Sequence, residues 1–244
     1  MRKIITRYTI FIAILAVIIL ISYIYSSETE CETEQLYIDE EPYEEPYEVM
    51  EPEKRSVSPA IAALRERYNN NDIVGYLYIE GTNINYPVTQ YTDNEFYLHH
   101  DIEKRRNRAG WIFLDYENDI TKEDRNVVIY GHNTERNNRF HHISRFVNRD
   151  FFDAHRYITF NTAYAEYRWE IFSFYRTGID FFYIQVFFDS YEEFYELLAE
   201  MKARSMHDSG IEVGPGDRVL TLSTCVNNPA NERYVINARL IRND

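Results

Sequence analysis

The sequence predicts a mostly β protein, closed into a barrel or stacked as a sandwich. Three observations carry this expectation. Beyond residue 72 the apolar residues recur at period two or in short runs bounded by turn-formers. Tyr is frequent, with 22 residues, and Gly scarce, with 8, a balance that suits strands better than a glycine-looped nucleotide fold. A chain of 244 residues, 45% hydrophobic and 16% aromatic, is long and apolar enough for one sizeable core.

The elements follow in chain order. Ser58-Pro59 reads as an N-cap followed by proline at the first helical position, and Ile61, Leu64 and Tyr68 then share a face. Candidate strands are Ile73–Ile79, Ile84–Val88, Trp111–Leu114, Val127–Tyr130, Tyr157–Phe160, Tyr167–Tyr175, Phe182–Phe187, Val219–Ser223 and Val235–Ile241. Turn-formers such as Glu80-Gly81-Thr82-Asn83 and Gly214-Pro215-Gly216-Asp217 separate them. Ser190-Tyr191-Glu192-Glu193 fits a capping box, and Phe194, Leu197, Leu198 and Met201 follow at helical spacing. A shorter helix is expected near Ile143–Asn148.

The net charge of −14 is unevenly spread. Residues 1–25 carry +3, residues 26–53 carry −12, and the remainder carries −5. This balance argues against nucleic-acid binding, which needs a basic face. Tyr8 to Tyr25 is an uncharged apolar run. At helical rise it spans about 27 Å, close to the thickness of a bilayer core. Arg2, Lys3 and Arg7 precede it, so residues 1–25 read as a membrane anchor with a cytoplasmic tip. The bulky exit Ile21-Ser22-Tyr23-Ile24-Tyr25 lacks the small residues of a cleaved signal peptide. Residues 26–57, acidic and proline-containing, cannot bury a core and read as an extracellular linker reaching about 110 Å when stretched. Residues 58–244 form the expected folded domain.

Only two cysteines are present, Cys31 in the linker and Cys225. A disulfide framework and a cysteine-rich zinc module are thereby excluded. Cys225 ends the apolar strand Val219-Leu220-Thr221-Leu222-Ser223-Thr224-Cys225 and precedes a polar loop. It is either a small buried hydrophobe or a nucleophile. His132 follows the run Val127-Val128-Ile129-Tyr130-Gly131, and Arg233 opens the last strand. A thiol, an imidazole and a guanidinium at one end of a domain supply nucleophile, proton carrier and oxyanion donor. Ser223 shares strand parity with Cys225 and either offers a supporting hydrogen bond or is a satisfied barrel serine. The paired His99-His100 and His141-His142, with His155 and His207, show no metal-ligand spacing.

Thr221-Leu222-Ser223-Thr224-Cys225 with Arg233 downstream and Tyr130-Gly131-His132-Asn133 upstream resembles the sortases, and class B most closely. Gly75–Ile79, Tyr86-Pro87-Val88, Asp93–Leu98 and Gly110–Asp115 add to the likeness, which covers about residues 58–242. The resemblance implies a closed eight-stranded barrel with an N-terminal helix and a helix inserted before the cysteine strand. It implies a cysteine transpeptidase at a Gram-positive cell surface. Such an enzyme cleaves a C-terminal sorting signal after Thr and transfers the acylated protein to a cell-wall amine. Cys225, His132 and Arg233 are then catalytic, and Asn94, Leu98, Tyr183 and Ile184 line the peptide groove. No cofactor or metal is implied, and the calcium-site pattern of some class A members is missing. Val226 stands where some members carry an acid. The competing readings are a surface cysteine protease of another family and a tethered, non-enzymatic binding module.

Overall fold

The computed structural model describes residues 56–133, 139–225 and 232–241, with only the backbone of Cys225. The expected anchor, and the linker up to residue 55, lie outside these residues. Among the described residues no helix is long and apolar enough to cross a membrane.

The chain enters through α1 (Pro59–Tyr68), where the Ser58 hydroxyl accepts from the Ile61 amide. Asn69, left-handed at φ 47°, ends the helix. Eight strands follow among the described residues: β1 (Ile73–Ile79), β2 (Asn85–Thr89), β3 (Phe113–Leu114), β4 (Asn126–Tyr130), β5 (Tyr157–Thr162), β6 (Arg168–Thr177), β7 (Val219–Cys225) and β8 (Arg233–Leu240). They close a barrel in the order β1-β2-β3-β4-β7-β8-β6-β5. The barrel alternative is therefore the one the chain adopts.

Most neighbours are antiparallel, but β2 with β3 and β4 with β7 run parallel. β4 is buried from Asn126 to Ile129 and β7 from Val219 to Thr224, as expected of strands covered on both faces. Leu220, Leu222, Ile236, Ala238 and Phe174 pack into the barrel interior. Outside it lies a second layer built by α4 (Tyr191–Ala203). Phe194, Leu197, Leu198 and Met201 of that helix pack on Phe172, Tyr175, Val219 and Val235. Ser190 caps α4 by accepting from the Glu193 amide at 3.1 Å. Glu193 completes the cap one residue further out, accepting from the Asp189 amide at 2.7 Å.

Three local expectations change. Phe182–Phe187 is not a strand. Its Tyr183 and Gln185 carbonyls are bound by the side-chain amide of Asn126 in place of a neighbouring strand. The helix expected near Ile143–Asn148 becomes a 3-10 turn, His141–Val147, then α3 (Arg149–Ala154) capped by Asn148. Phe96–His99 forms a single extra turn, α2, too short to show periodicity. Asp93 accepts the Glu95 and Phe96 amides at its start.

One histidine ties the 3-10 turn to the β1–β2 connection. The Asn83 amide donates to His142 Nδ1 at 3.0 Å, which requires the unprotonated nitrogen. Burial first, then the charges of Arg145 and His141, hold His142 below the usual histidine value of 6.5. The folded state favours the neutral ring, so this stabilisation is complete above 6.5 and is lost as pH falls. Thermal unfolding between about pH 7.5 and pH 5 should show falling stability in the parent. His142→Asn should show a shallower slope, and equal slopes would remove His142 as the cause.

Candidate active site

Strand register alone assembles the site. In the parallel pair β4 and β7, Tyr130 stands opposite Ser223, and the Gly131 amide donates to the Ser223 carbonyl at 3.2 Å. Two residues onward on each strand come His132 and Cys225. In the antiparallel pair β7 and β8, Cys225 stands opposite Arg233. Directly opposed positions belong to one face of the sheet, so the register puts positions 225 and 233 on a common face. Ser223, two residues earlier, shares that face. His132, remote in sequence, thus reaches the rim of Cys225 and Arg233 because β4 and β7 end together where β8 begins.

A cleft of about 440 Å³ opens at this rim. His132, Ser223 and Arg233 line it, as do Asn94, Leu98, Tyr183 and Ile184. Every anticipated groove residue is therefore brought to one cavity. Phe113, Tyr130, Ile179 and Phe182 extend its apolar lining. Ile179 and Phe182 are strongly exposed at the mouth, at 88% and 63%.

His132 is half-buried and tightly framed. Its Nε2 lies 3.0 Å from the Leu98 carbonyl oxygen. A carbonyl only accepts, so Nε2 carries the proton and Nδ1 is left to exchange one. Leu98 belongs to α2, whose Tyr97 carbonyl accepts from the Trp111 amide at 2.8 Å. Gly110 sits behind both. A Cβ there would lie 2.7 Å from the Leu98 oxygen and 2.9 Å from His132 Cδ2. Its φ of +57° is a second reason for glycine. On the other side the Phe140 amide donates to the His132 carbonyl at 3.0 Å. The neighbouring Arg139 guanidinium lies 3.8 Å from the Trp111 ring centroid, fixing the chain's return past the histidine.

Arg233 is half-buried and donates to the Glu232 carbonyl at 3.1 Å. The Glu232 carboxylate is held by Arg176 on β6, Nε to Oε2 at 2.6 Å. Ser223 is buried, and its hydroxyl is 2.8 Å from the Tyr183 hydroxyl, so its bond goes to the groove wall.

Asn94 is more committed than its motif suggested. Its Nδ2 donates to Asp115 Oδ2 at 3.0 Å, and its Oδ1 accepts from the Tyr116 amide at 3.0 Å. Asp115 Oδ2 also accepts from the Tyr130 hydroxyl at 2.6 Å. Burial first, then the Asp115 charge, push the Tyr130 phenol far above its usual value, so it stays a neutral donor. This Asn94–Asp115–Tyr130 set stiffens the cleft floor. Tyr130 and Asp115 fall within the two quoted motifs, but their mutual bond spans strands and left no local trace. Among the described residues no group of His, Cys, Asp or Glu is arranged to hold a metal.

Known proteins share this architecture. A family model described as the sortase domain matches residues 77–241. Sortase B of Listeria monocytogenes is 38% identical over 174 residues, 70% of this chain and 71% of that protein. Sortase B of Staphylococcus aureus is 31% identical over 240 residues, 97% of this chain and 98% of that protein. The solved Staphylococcus aureus sortase B–substrate complex superposes with a TM-score of 0.72 at 32% identity, covering 78% of this chain and 88% of that one. Clostridium perfringens sortase B gives 0.68 at 36% identity, covering 74% of this chain and 100% of that one. The same closed barrel and a matched domain that runs through His132, Cys225 and Arg233 lead to one conclusion: the chain belongs to the sortase family and is a sortase enzyme of class B.

Proposed function

We propose that this sortase cleaves a C-terminal cell-wall sorting signal after its threonine and passes the acylated protein to a cell-wall amine. The reading rests above all on the register that sets Cys225 opposite Arg233, beside the strand end bearing His132. The Cys225 thiolate attacks the threonine carbonyl carbon, and the C–N bond breaks as His132 gives a proton to the departing amine. The resulting thioester is attacked by the incoming amine, which yields its proton to His132, and the thiolate leaves. With Nε2–H held by the Leu98 carbonyl, Nδ1 is the nitrogen that carries the proton in both half-reactions. Arg233 offers a forked donor to the oxyanion. Asn94, Leu98, Tyr183 and Ile184 hold the signal along the cleft, and Ser223 supports the site through Tyr183. Residues 1–25 anchor the enzyme as a single span with a cytoplasmic N-terminus. Residues 26–57 extend the catalytic domain outward toward the peptidoglycan precursor.

Three substitutions test this. Cys225→Ala should abolish cleavage of a threonine-bearing signal peptide, whereas Cys31→Ala should leave it intact; turnover by Cys225→Ala would end the reading. Arg233→Lys keeps the charge but loses the fork. The threonine-signal kinetics should then show kcat and kcat/KM falling together by about 2.7–4 kcal/mol. Parent-like parameters would make Arg233 a rim charge. Gly110→Ala should displace the Leu98 carbonyl and the His132 ring and cut kcat by as much as about 100-fold. A mainly raised KM would show that Gly110 acts on substrate binding instead.

A further inference from the structure

The segment 178–190 between β6 and α4 forms one wall of the cleft, yet it has no ladder of its own. A wall without strand partners needs another source of rigidity, because buried carbonyls must be paired. Tyr183 is tied through its hydroxyl to Ser223 and Gln185 through its amide to Glu193, but the carbonyl partners come from one side chain. Asn126, fully buried at the start of β4, donates through Nδ2 to the Tyr183 carbonyl at 3.0 Å and the Gln185 carbonyl at 2.9 Å.

The orientation of that amide is dictated by two further residues. Asn237 Nδ2 on β8 donates to Thr221 Oγ1 on β7 at 2.9 Å. The Thr221 hydroxyl therefore accepts there and donates its own proton to Asn126 Oδ1 at 2.7 Å. Asn126 Oδ1 is thus fixed as the acceptor, and both Nδ2 protons face the wall. The three strands that supply this relay are the one that leads to His132 and the two that carry Cys225 and Arg233. The wall and the reactive row accordingly share one frame.

We propose that Asn126 is a positioning residue for substrate affinity: its buried amide replaces a missing strand partner and fixes Tyr183–Gln185 as the signal-binding wall. This rests on the proposed role of Tyr183 and Ile184. Asn126 touches neither substrate nor the reacting atoms, lying at the far end of the strand that leads to His132.

The test uses Asn126→Ala, Thr221→Val, which removes the orienting hydroxyl from a near-isosteric side chain, and Thr221→Ser, which restores it. Amide hydrogen exchange and signal-peptide kinetics are measured on each folded variant. Asn126→Ala and Thr221→Val should speed exchange across 178–188 by about tenfold relative to β1 and β2, the scale of one or two lost hydrogen bonds. KM should rise by a similar factor with kcat nearly unchanged, because a wall binds ground and transition states alike. Thr221→Ser should restore both. Exchange that stays at the parent rate, or rises evenly over the barrel, would overturn the proposal. So would a fall in kcat at constant KM. If Asn126→Ala does not fold, Thr221→Val decides. If the parent processes no threonine-bearing signal, the functional reading fails, while the exchange data still decide what Asn126 holds.

Discussion

The parallel pairing of β4 with β7 is the constraint from which the active site follows. Antiparallel strands in a hairpin bring the end of one to the start of the next, so their side chains reach a common rim at the turn. A parallel pair instead delivers two strand ends to the same rim with no turn between them. Tyr130 opposite Ser223 fixes that register, and His132 and Cys225 are its continuation. A slip of one residue would turn Cys225 to the other face of the sheet and away from the row it forms with Arg233. The cost of the arrangement is a long crossover. The chain runs through the 3-10 turn, α3, β5, β6 and α4 before β7 can pair with β4. This crossover also supplies α4, which packs on Val219 of β7 together with Phe172 and Tyr175 of β6 and Val235 of β8.

That second layer explains why polar groups can survive so deep. Asn126, Thr221 and Asn237 stand on the outer face of β4, β7 and β8 and are fully buried. Each unpaired group there would cost about 1–3 kcal/mol of desolvation. Asn126 and Thr221 are retained because they bind each other, Asn237 and the carbonyls of the wall, whereas Asn237 Oδ1 has no partner among the described residues. The Asn94–Asp115–Tyr130 set does the same on the opposite flank. The cleft is therefore bounded by two polar clamps within an otherwise apolar lining.

Much of this was legible locally. The bounds of β1 match the expected Ile73–Ile79, because the run is apolar and ends at the turn-formers Glu80-Gly81-Thr82-Asn83. Ser58 and Ser190 announced their helices because an N-cap is a short-range event. Cys225, His132 and Arg233 were legible as strand-end residues within quoted motifs. The parts that were not legible depend on contacts across the fold. Phe182–Phe187 is apolar enough for a strand, but its carbonyls found an asparagine side chain 57 and 59 residues away in sequence instead of a ladder. Gly110 opens the quoted segment Gly110–Asp115, but its requirement comes from Leu98 and His132, which only the fold brings beside it. Asn94, which the resemblance puts in the peptide groove, lines the cleft, but its engagement with Asp115 and Tyr116 needed three-dimensional placement.

The position of the cleft follows from where the second layer stops. Along β7 the outer face is covered by α4 at Val219. It then carries Ser223, bonded to Tyr183 and opposite Val235 of β8, before reaching position 225 opposite Arg233. The covering side chains change from helix to loop over these few residues. Tyr183 still packs in the second layer, whereas Phe182 beside it is exposed at the cleft mouth. A continuous helix would have sealed the strand ends, and open solvent would have left them unframed. The irregular segment 178–190 does neither, because Asn126 holds its inner residues while its apolar tips remain accessible. Access to the reactive rim is thus a consequence of replacing a regular element by a pinned one at the point where β7 and β8 meet.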